Sequence, residues 1–453
     1  MVFINRRFIR VFVTSALSLL AVVTLFLFSH IHDEYNSTAV YNKLVSSTSS
    51  ANTGYHPSEK LKLPNFYDVE HDTYLNEVFV NPNHYDPIDY SNWWVDSSKT
   101  PKMNATMVSL VRNNELGDML RSIEQFEASF NHKYHYDWVF LNDVEFTPRF
   151  IKAIKEKVSG EAKFGLVPKE HWSYPDFIDQ DKAAQARIDM QNIIYGSSES
   201  YRFMCRYQSG FFWRHELMLD YDWYWRVEPS TKYPCDIPDD LFKYMNDNQK
   251  AYGFTLSLHE YEETIPSLFD SVLNFTNEHP EYIPHKNFAS FVSEDQGETY
   301  NGCHYWSNFE VANLNLWRSK QYGEFFDYLD QRGGFFYERH GDAPVHSLFA
   351  SIFLPMDKIE YLNIGYYHGP FWNIPYAVES ISASEEDLLE KTKDKFTSQN
   401  CQMDPRVDFT SNGFSCGNLY FSLNKLKSLK TVPEEDALEW LKITGGEVME
   451  PDN

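Results

Sequence analysis

At about 150 residues per domain, a chain of 453 residues has room for two or three domains or for one large enzyme domain with a sizeable core. Hydrophobic residues make up 42% and charged residues 23%, close to the globular average, which excludes a wholly disordered, collagen-like or polytopic membrane chain. Asp plus Glu outnumber Lys plus Arg by 65 to 40, and the resulting net charge of −25 repels a phosphate backbone, so no nucleic-acid partner is expected.

The N-terminus carries Arg6, Arg7 and Arg10, then an uncharged apolar run over residues 11–28. With Phe8 and Ile9 the run approaches the ~20 residues that span a bilayer. Acidic Asp33 and Glu34 follow it. Positive charge before the span and none just after predicts a single-pass type II protein: cytosolic tail 1–7, transmembrane signal-anchor 8–28, lumenal stem 29–95, catalytic domain 96–430 and acidic tail 431–453. A cleaved signal peptide is the alternative, disfavoured by the length of the run and the lack of a small-x-small site. Residues 29–60 are rich in Ser, Thr and Asn, whereas 61–102 gain Pro, Tyr and Trp and can pack onto the domain as an irregular arm. Asn36, Asn104 and Asn274 begin Asn-x-Ser/Thr triplets, candidate N-glycosylation sites in a secretory compartment.

Residues 106–111 form a short β-branched apolar run, after which Leu116, Met119, Leu120, Ile123 and Phe126 recur at helical spacing. A second strand is predicted over 138–141, then a helix opened by Thr147-Pro148 with an apolar stripe of Phe150, Ile151, Ile154 and Val158, then a third strand over 164–167. Strands alternating with helices imply an α/β fold, a mostly parallel sheet covered on both faces, with ligands beyond the carboxyl ends of the strands. Arg112, Asn113, Asn142 and Asp143 stand there. Further strands are predicted over 223–227 and 252–258. The sequence has no GxGxxG after the first strand, no GxxxxGK[ST] and no GxSxG, so dinucleotide, P-loop and serine-hydrolase chemistry lack support. The five cysteines, Cys205, Cys235, Cys303, Cys401 and Cys416, show no zinc-site spacing. Cys401 with Cys416 is the first expected disulfide, because it closes a short loop, and the odd count leaves one thiol over.

Arg226 and Glu228 lie two apart at a strand end, on one face, where an Arg and a carboxylate serve a phosphate and a metal or simply pair with each other. His304, Trp306, Asn308 and Glu310 recur at spacing two and line one face if the run is extended. Asp342 is placed to cap the helix that follows it. His368 sits in a tight aromatic turn, as a ligand or as an ordinary loop residue.

The segments Leu110-Val-Arg-Asn113, Phe140-Leu-Asn-Asp143, Cys205-Arg-Tyr-Gln-Ser-Gly-Phe-Phe212, Tyr224-Trp-Arg-Val-Glu-Pro229, Cys303-His-Tyr-Trp-Ser-Asn-Phe-Glu310, His340-Gly-Asp-Ala-Pro344 and Tyr366-Tyr-His368 occur in this order. Together they resemble the fungal Golgi α-1,2-mannosyltransferases of the Kre/Ktr/Mnt type, glycosyltransferase family 15, over roughly 104–416. The resemblance implies a GT-A-like mixed sheet flanked by helices and a retaining, Mn2+-dependent glycosyltransferase. Its donor would be GDP-mannose and its acceptor a mannose-terminated N- or O-linked glycan of a glycoprotein, in the Golgi lumen and in cell-wall mannoprotein synthesis. It places a candidate nucleophile at Glu310, metal ligands at His368 and Glu228, donor contacts at Arg112, Tyr201, Arg226 and Asp342, and an acceptor groove at Trp306 and Tyr305. The Cys-x-Cys-Asp-Pro pattern of the family stands here as Cys401-Gln-Met-Asp-Pro405, one cysteine short. Mannosylphosphate transfer or another linkage on the same fold, and a catalytically silent glycan-binding ectodomain, are the rival readings.

Overall fold

In a computed structural model of the chain, the structure describes residues 61–78, 86–375, 378–380, 396–401, 403, 407–410, 412–424 and 426–428. The expected cytosolic tail, signal-anchor, Asn36 and acidic tail lie outside the described residues. Among those that are described, no helix is long and apolar enough to cross a membrane.

The centre is a seven-stranded sheet. Its strands are β1 (Ala105–Leu110), β2 (Asp137–Asn142), β3 (Ala162–Leu166), β4 (Trp223–Arg226), β5 (Tyr252–Phe254), β6 (Glu310–Asn313) and β7 (Ile359–Tyr361), in spatial order β7-β5-β6-β4-β1-β2-β3. The helices that matter for the site are α1 (Leu116–Ser129), α2 (Pro148–Lys155), α3 (Glu199–Gly210), α4 (Lys320–Gln331) and α5 (Asp342–Phe353). β1, β2 and β3 are parallel and joined through α1 and α2, as the alternating pattern predicts. Thr147 caps α2 by accepting from the Phe150 amide at 3.2 Å, with Pro148 at the first helical position.

The sheet is mixed because β6 runs antiparallel to both β4 and β5. That reversal matters for function. β1 and β4 are parallel neighbours and end at the same edge, while β6 begins there, so Glu310 is registered opposite Arg226. Alternate residues of one strand enter different cores: Val108, Val139 and Tyr224 pack on one face, Met107, Trp138 and Trp225 on the other. Much of the aromatic surplus packs here. Phe126, for example, meets Trp138 and Trp225 edge-on with centroids 5.3 and 4.7 Å away. α5 is buried along its whole length.

Two expectations are corrected. Cys401 and Cys416 do not pair with each other: the disulfides are Cys235–Cys401 and Cys303–Cys416, and Cys205 is a buried free thiol. Backbone pairing decides this, since Asp236 and Gln399 exchange amide bonds of 2.9 and 2.8 Å, and the Cys416 amide donates to Ser257 O at 3.1 Å beside the ribbon of Ser257–His259 with Cys303–Tyr305. Nearness in sequence is overridden by strand-like contacts across more than a hundred residues, the separations being 166 and 113. The stem also ends earlier than residue 95. Leu63, Phe66, Tyr67, Ile88 and Trp93 are buried in the main core, and the Asn287 side chain donates to Asn65 O at 2.9 Å.

Candidate active site

Arg226 is the hub. Its Nε donates to Glu228 Oε1 at 2.5 Å, and its Nη1 donates to Asp342 Oδ2 at 2.6 Å. Ser307 Oγ donates to the same Asp342 oxygen at 2.7 Å. Arg226 ends β4, Ser307 lies in the turn before β6, and Asp342 opens α5, so three elements converge on one guanidinium. Asp342 does not cap its helix: Gly341 holds the cap position and no side chain caps there, because the carboxylate turns to Arg226 instead. Burial would raise the Asp342 carboxyl, but Arg226, His346 and the Ser307 hydroxyl hold it below its ordinary range. Burial dominates at Glu228, which is pushed up despite Arg226.

His368 ends one strand of the ribbon Tyr366–His368 with Phe371–Asn373, and this ribbon reaches the Glu228 loop through the Lys232–Tyr367 bridge. Its Nδ1 lies 2.6 Å from Asn308 Nδ2, and Tyr366 Oη donates to Asn308 Oδ1 at 3.1 Å. Burial first, then the Arg226 charge, push the imidazole down to about 4, so it is neutral at physiological pH and offers a lone pair. A metal at Nε2 requires the proton on Nδ1. The Asn308 amide supplies that tautomer when its carbonyl faces the ring and its NH2 faces Tyr366, the isosteric partner of the orientation above. A neutral imidazole and a carboxylate fit a manganese ion completed by diphosphate oxygens. The other His/Cys grouping among the described residues, His259 with Cys303 and Cys416, is a disulfide beside an imidazole and has no thiolate to give.

On the other side of the site, Arg112 follows β1 and donates from Nη2 to Ser200 Oγ at 3.1 Å, next to Tyr201 at the start of α3. Tyr201 Oη accepts from Arg339 Nη1 at 3.2 Å, and Arg339 Nη2 is tied to Glu260 Oε1 and Thr264 Oγ1, each at 3.0 Å. Arg339 and Glu260 escaped the sequence reading. Arg339 stands three residues before Asp342, immediately ahead of the segment His340–Pro344 already singled out, whereas Glu260 carries no local signal.

Glu310 is placed differently from what the resemblance implies. Its side chain is 1% exposed. Oε1 accepts a short hydrogen bond from Tyr224 Oη, and Oε2 accepts from Tyr252 Oη at 2.9 Å and His346 Nδ1 at 2.8 Å. Trp317 Nε1 closes the set by donating to Tyr224 Oη at 2.9 Å. Neither oxygen is open to a substrate, so Glu310 lies beneath the site as part of its floor. The run 303–310 is also not one extended face. It is a strand over Cys303–Tyr305, a turn closed by Phe309 N to Trp306 O at 3.2 Å, and then β6.

Trp306 keeps to the site, its ring 5.4 Å from that of His368. Tyr305 does not, which corrects its assignment to an acceptor groove: it is 0% exposed, stacks on Phe291 at 4.8 Å and shares a hydroxyl hydrogen bond of 3.1 Å with Ser351 Oγ. Alternation along the strand turns it into the core. Asn104 and Asn274 are exposed, with their amides donating at 2.7 Å to Asp220 O and Asp270 O.

The chain is similar to known proteins over most of its length. The chain is 54% identical over 332 residues to the glycolipid 2-α-mannosyltransferase of Saccharomyces cerevisiae, covering 73% of this chain and 72% of that one. It is 44% identical over 347 residues to the O-glycoside α-1,2-mannosyltransferase omh1 of Schizosaccharomyces pombe, covering 76% and 84%. Among solved structures, the S. cerevisiae mannosyltransferase Ktr4p in complex with GDP superposes with a TM-score of 0.60 at 37% identity, over 64% of this chain and 77% of that one. Core-mannan synthase A of Aspergillus fumigatus, in its Mn/GDP form, gives 0.59 at 33% identity, over 71% and 83%. The mixed α/β fold is thus GT-A-like. The sequence profile described as glycolipid 2-alpha-mannosyltransferase matches residues 57–425, the span that carries the sheet and every residue of the cluster, and the chain belongs to that family of mannosyltransferases.

Proposed function

We propose that the chain transfers mannose from GDP-mannose to the 2-hydroxyl of a terminal mannose on glycoprotein glycans, with retention of the α configuration. The observation that carries this reading is the convergence of Arg226, Glu228, Asp342 and His368 at one sheet edge. Glu228 and His368 are the residues that would hold Mn2+, which when bound neutralises the diphosphate charge as the glycosidic bond breaks. Arg226 and Arg112 add positive charge toward the same leaving group, and Asp342 fixes the guanidinium of Arg226. Tyr201, oriented by Arg339, faces the donor side. Retention needs either a carboxylate nucleophile or attack from the face of departure. The sealing of Glu310 supports the second route, with Glu310 acting as a positioning residue.

We further infer a Golgi membrane protein with a lumenal catalytic domain, supported by the apolar run at 8–28 behind three arginines and by two disulfides, which persist in oxidising compartments. Calorimetric titration of GDP into the detergent-solubilised chain tests the metal and donor assignments. Binding should require Mn2+ in the native chain and be lost in Glu228→Ala and His368→Ala, while metal-independent binding of equal strength would contradict them.

A further inference from the structure

Tyr195 combines three features that do not normally meet. Its φ is +56°, a left-handed conformation uncommon for a bulky side chain. The residue is 57% exposed. Its ring lies flat on that of Tyr201, with centroids 4.6 Å apart and planes 12° from parallel.

The loop that presents it is firmly built. Gly196 N donates to Ile193 O at 2.9 Å and Ser198 N to Tyr195 O at 3.0 Å. The buried Arg202 guanidinium donates to Gly196 O at 2.7 Å and to Ser198 O at 3.1 Å. A Cβ on Gly196 would fall 1.9 Å from Met190 O, so the chain passes there only as glycine. A rigid loop therefore carries backbone strain while holding one aromatic face toward solvent, against a tyrosine that Arg339 ties into the site. Strain kept at such a place points to function.

We propose that Tyr195 is the platform of an outer acceptor subsite, stacking against the sugar that precedes the terminal mannose of the acceptor glycan. This rests on the mannosyltransferase reading above. A pyranose offers a C–H face to an aromatic ring and leaves its hydroxyls in water, which matches a ring that is stacked on one side and 57% exposed. A guanine would need hydrogen-bond acceptors for its edge as well. The nearby carbonyls of Ile193, Tyr195, Gly196 and Ser198 each already accept a hydrogen bond, from Gly196 N, Ser198 N and Arg202, and keep one lone pair where a free carbonyl has two. The inner face of the ring is covered by Tyr201, so a single sugar face is accommodated.

The test is acceptor preference. With detergent-solubilised full chain, Mn2+ and saturating GDP-mannose, kcat/KM is measured for methyl α-mannoside and for methyl α-1,2-mannobioside. The variants are Tyr195→Asn, which removes the ring but tolerates the left-handed backbone, and Tyr195→Trp, which keeps an aromatic face. The native chain should prefer the disaccharide. The preference should fall roughly three- to tenfold in Tyr195→Asn and persist in Tyr195→Trp, while Tyr195→Asn melts no lower than the native chain. A native enzyme without the preference, a Tyr195→Asn enzyme that keeps it, or one that loses GDP affinity while keeping it overturns the subsite. Absence of mannose transfer by the native chain contradicts the underlying activity instead.

Discussion

Asn308 shows how much of this site is decided one atom beyond the ligands. Its side-chain amide lies 2.6 Å from His368 Nδ1 and 3.1 Å from the Tyr366 hydroxyl, and with its carbonyl turned to the ring it sets the imidazole tautomer that leaves Nε2 free. Removing such an outer partner typically weakens metal affinity by about 10- to 100-fold. Asn308→Ala is therefore expected to raise the Mn2+ concentration for half-maximal activity by that factor, read from a metal titration, with little change in melting temperature. Glu310 makes the opposite prediction. Every group around it donates, so the NH2 introduced by Glu310→Gln would face a donor, and this substitution should lower stability by about 1–3 kcal/mol in urea unfolding along with turnover. Lost turnover at native stability would instead return Glu310 to direct chemistry. Away from the site, Asp86 accepts from the Ile88 amide at 3.1 Å, and burial pushes its carboxyl up to about 6. A carboxyl that holds its proton more tightly when folded contributes stability that is full below its unfolded pKa near 3.8 and is lost as pH rises through 6. Asp86→Asn should accordingly melt higher than the native chain at pH 7 and equal to it at pH 3.5.

At the scale of elements, the disulfides and the helices hold distant segments in register. Cys303–Cys416 fastens the C-terminal helix segment Gly417–Leu423 to the ribbon behind the site, closing a loop of 113 residues. Cys416→Ser should cost about 2–5 kcal/mol, measured by urea unfolding under non-reducing conditions. The parallel half of the fold was readable in the sequence because β1, β2 and β3 are separated by amphipathic helices such as α1, whose Met119, Ile123 and Phe126 are fully enclosed, and because β1 and β2 are buried on both faces. β6 and β7 were not, since each gains its identity from pairing with strands far away in sequence, β6 with β4 and β5 and β7 with β5. The site was legible in the same uneven way. Arg226 and Glu228 follow from strand alternation, and His368 and Asp342 from their place in distinctive segments. The enclosure of Glu310 was hidden, because Tyr224, Tyr252 and His346 come from three different elements. Disulfide pairing failed for a related reason: loop length says nothing of which backbone segments pair.

For the whole molecule, the net charge of −25 makes the cluster of Arg112, Arg226 and Arg339 a local exception on an acidic protein. Most of that positive charge is already balanced by Glu228, Asp342 and Glu260, so a dianionic leaving group needs a further cation. Metal dependence, donor and retention thus stand or fall together. The most direct measurement incubates the solubilised full chain with GDP-mannose and methyl α-mannoside, with and without Mn2+, and reads the product by NMR. An α-1,2-linked disaccharide formed only with the metal is the predicted result. A β anomer, a mannosyl phosphate, or equal turnover in the presence of a chelator would contradict it.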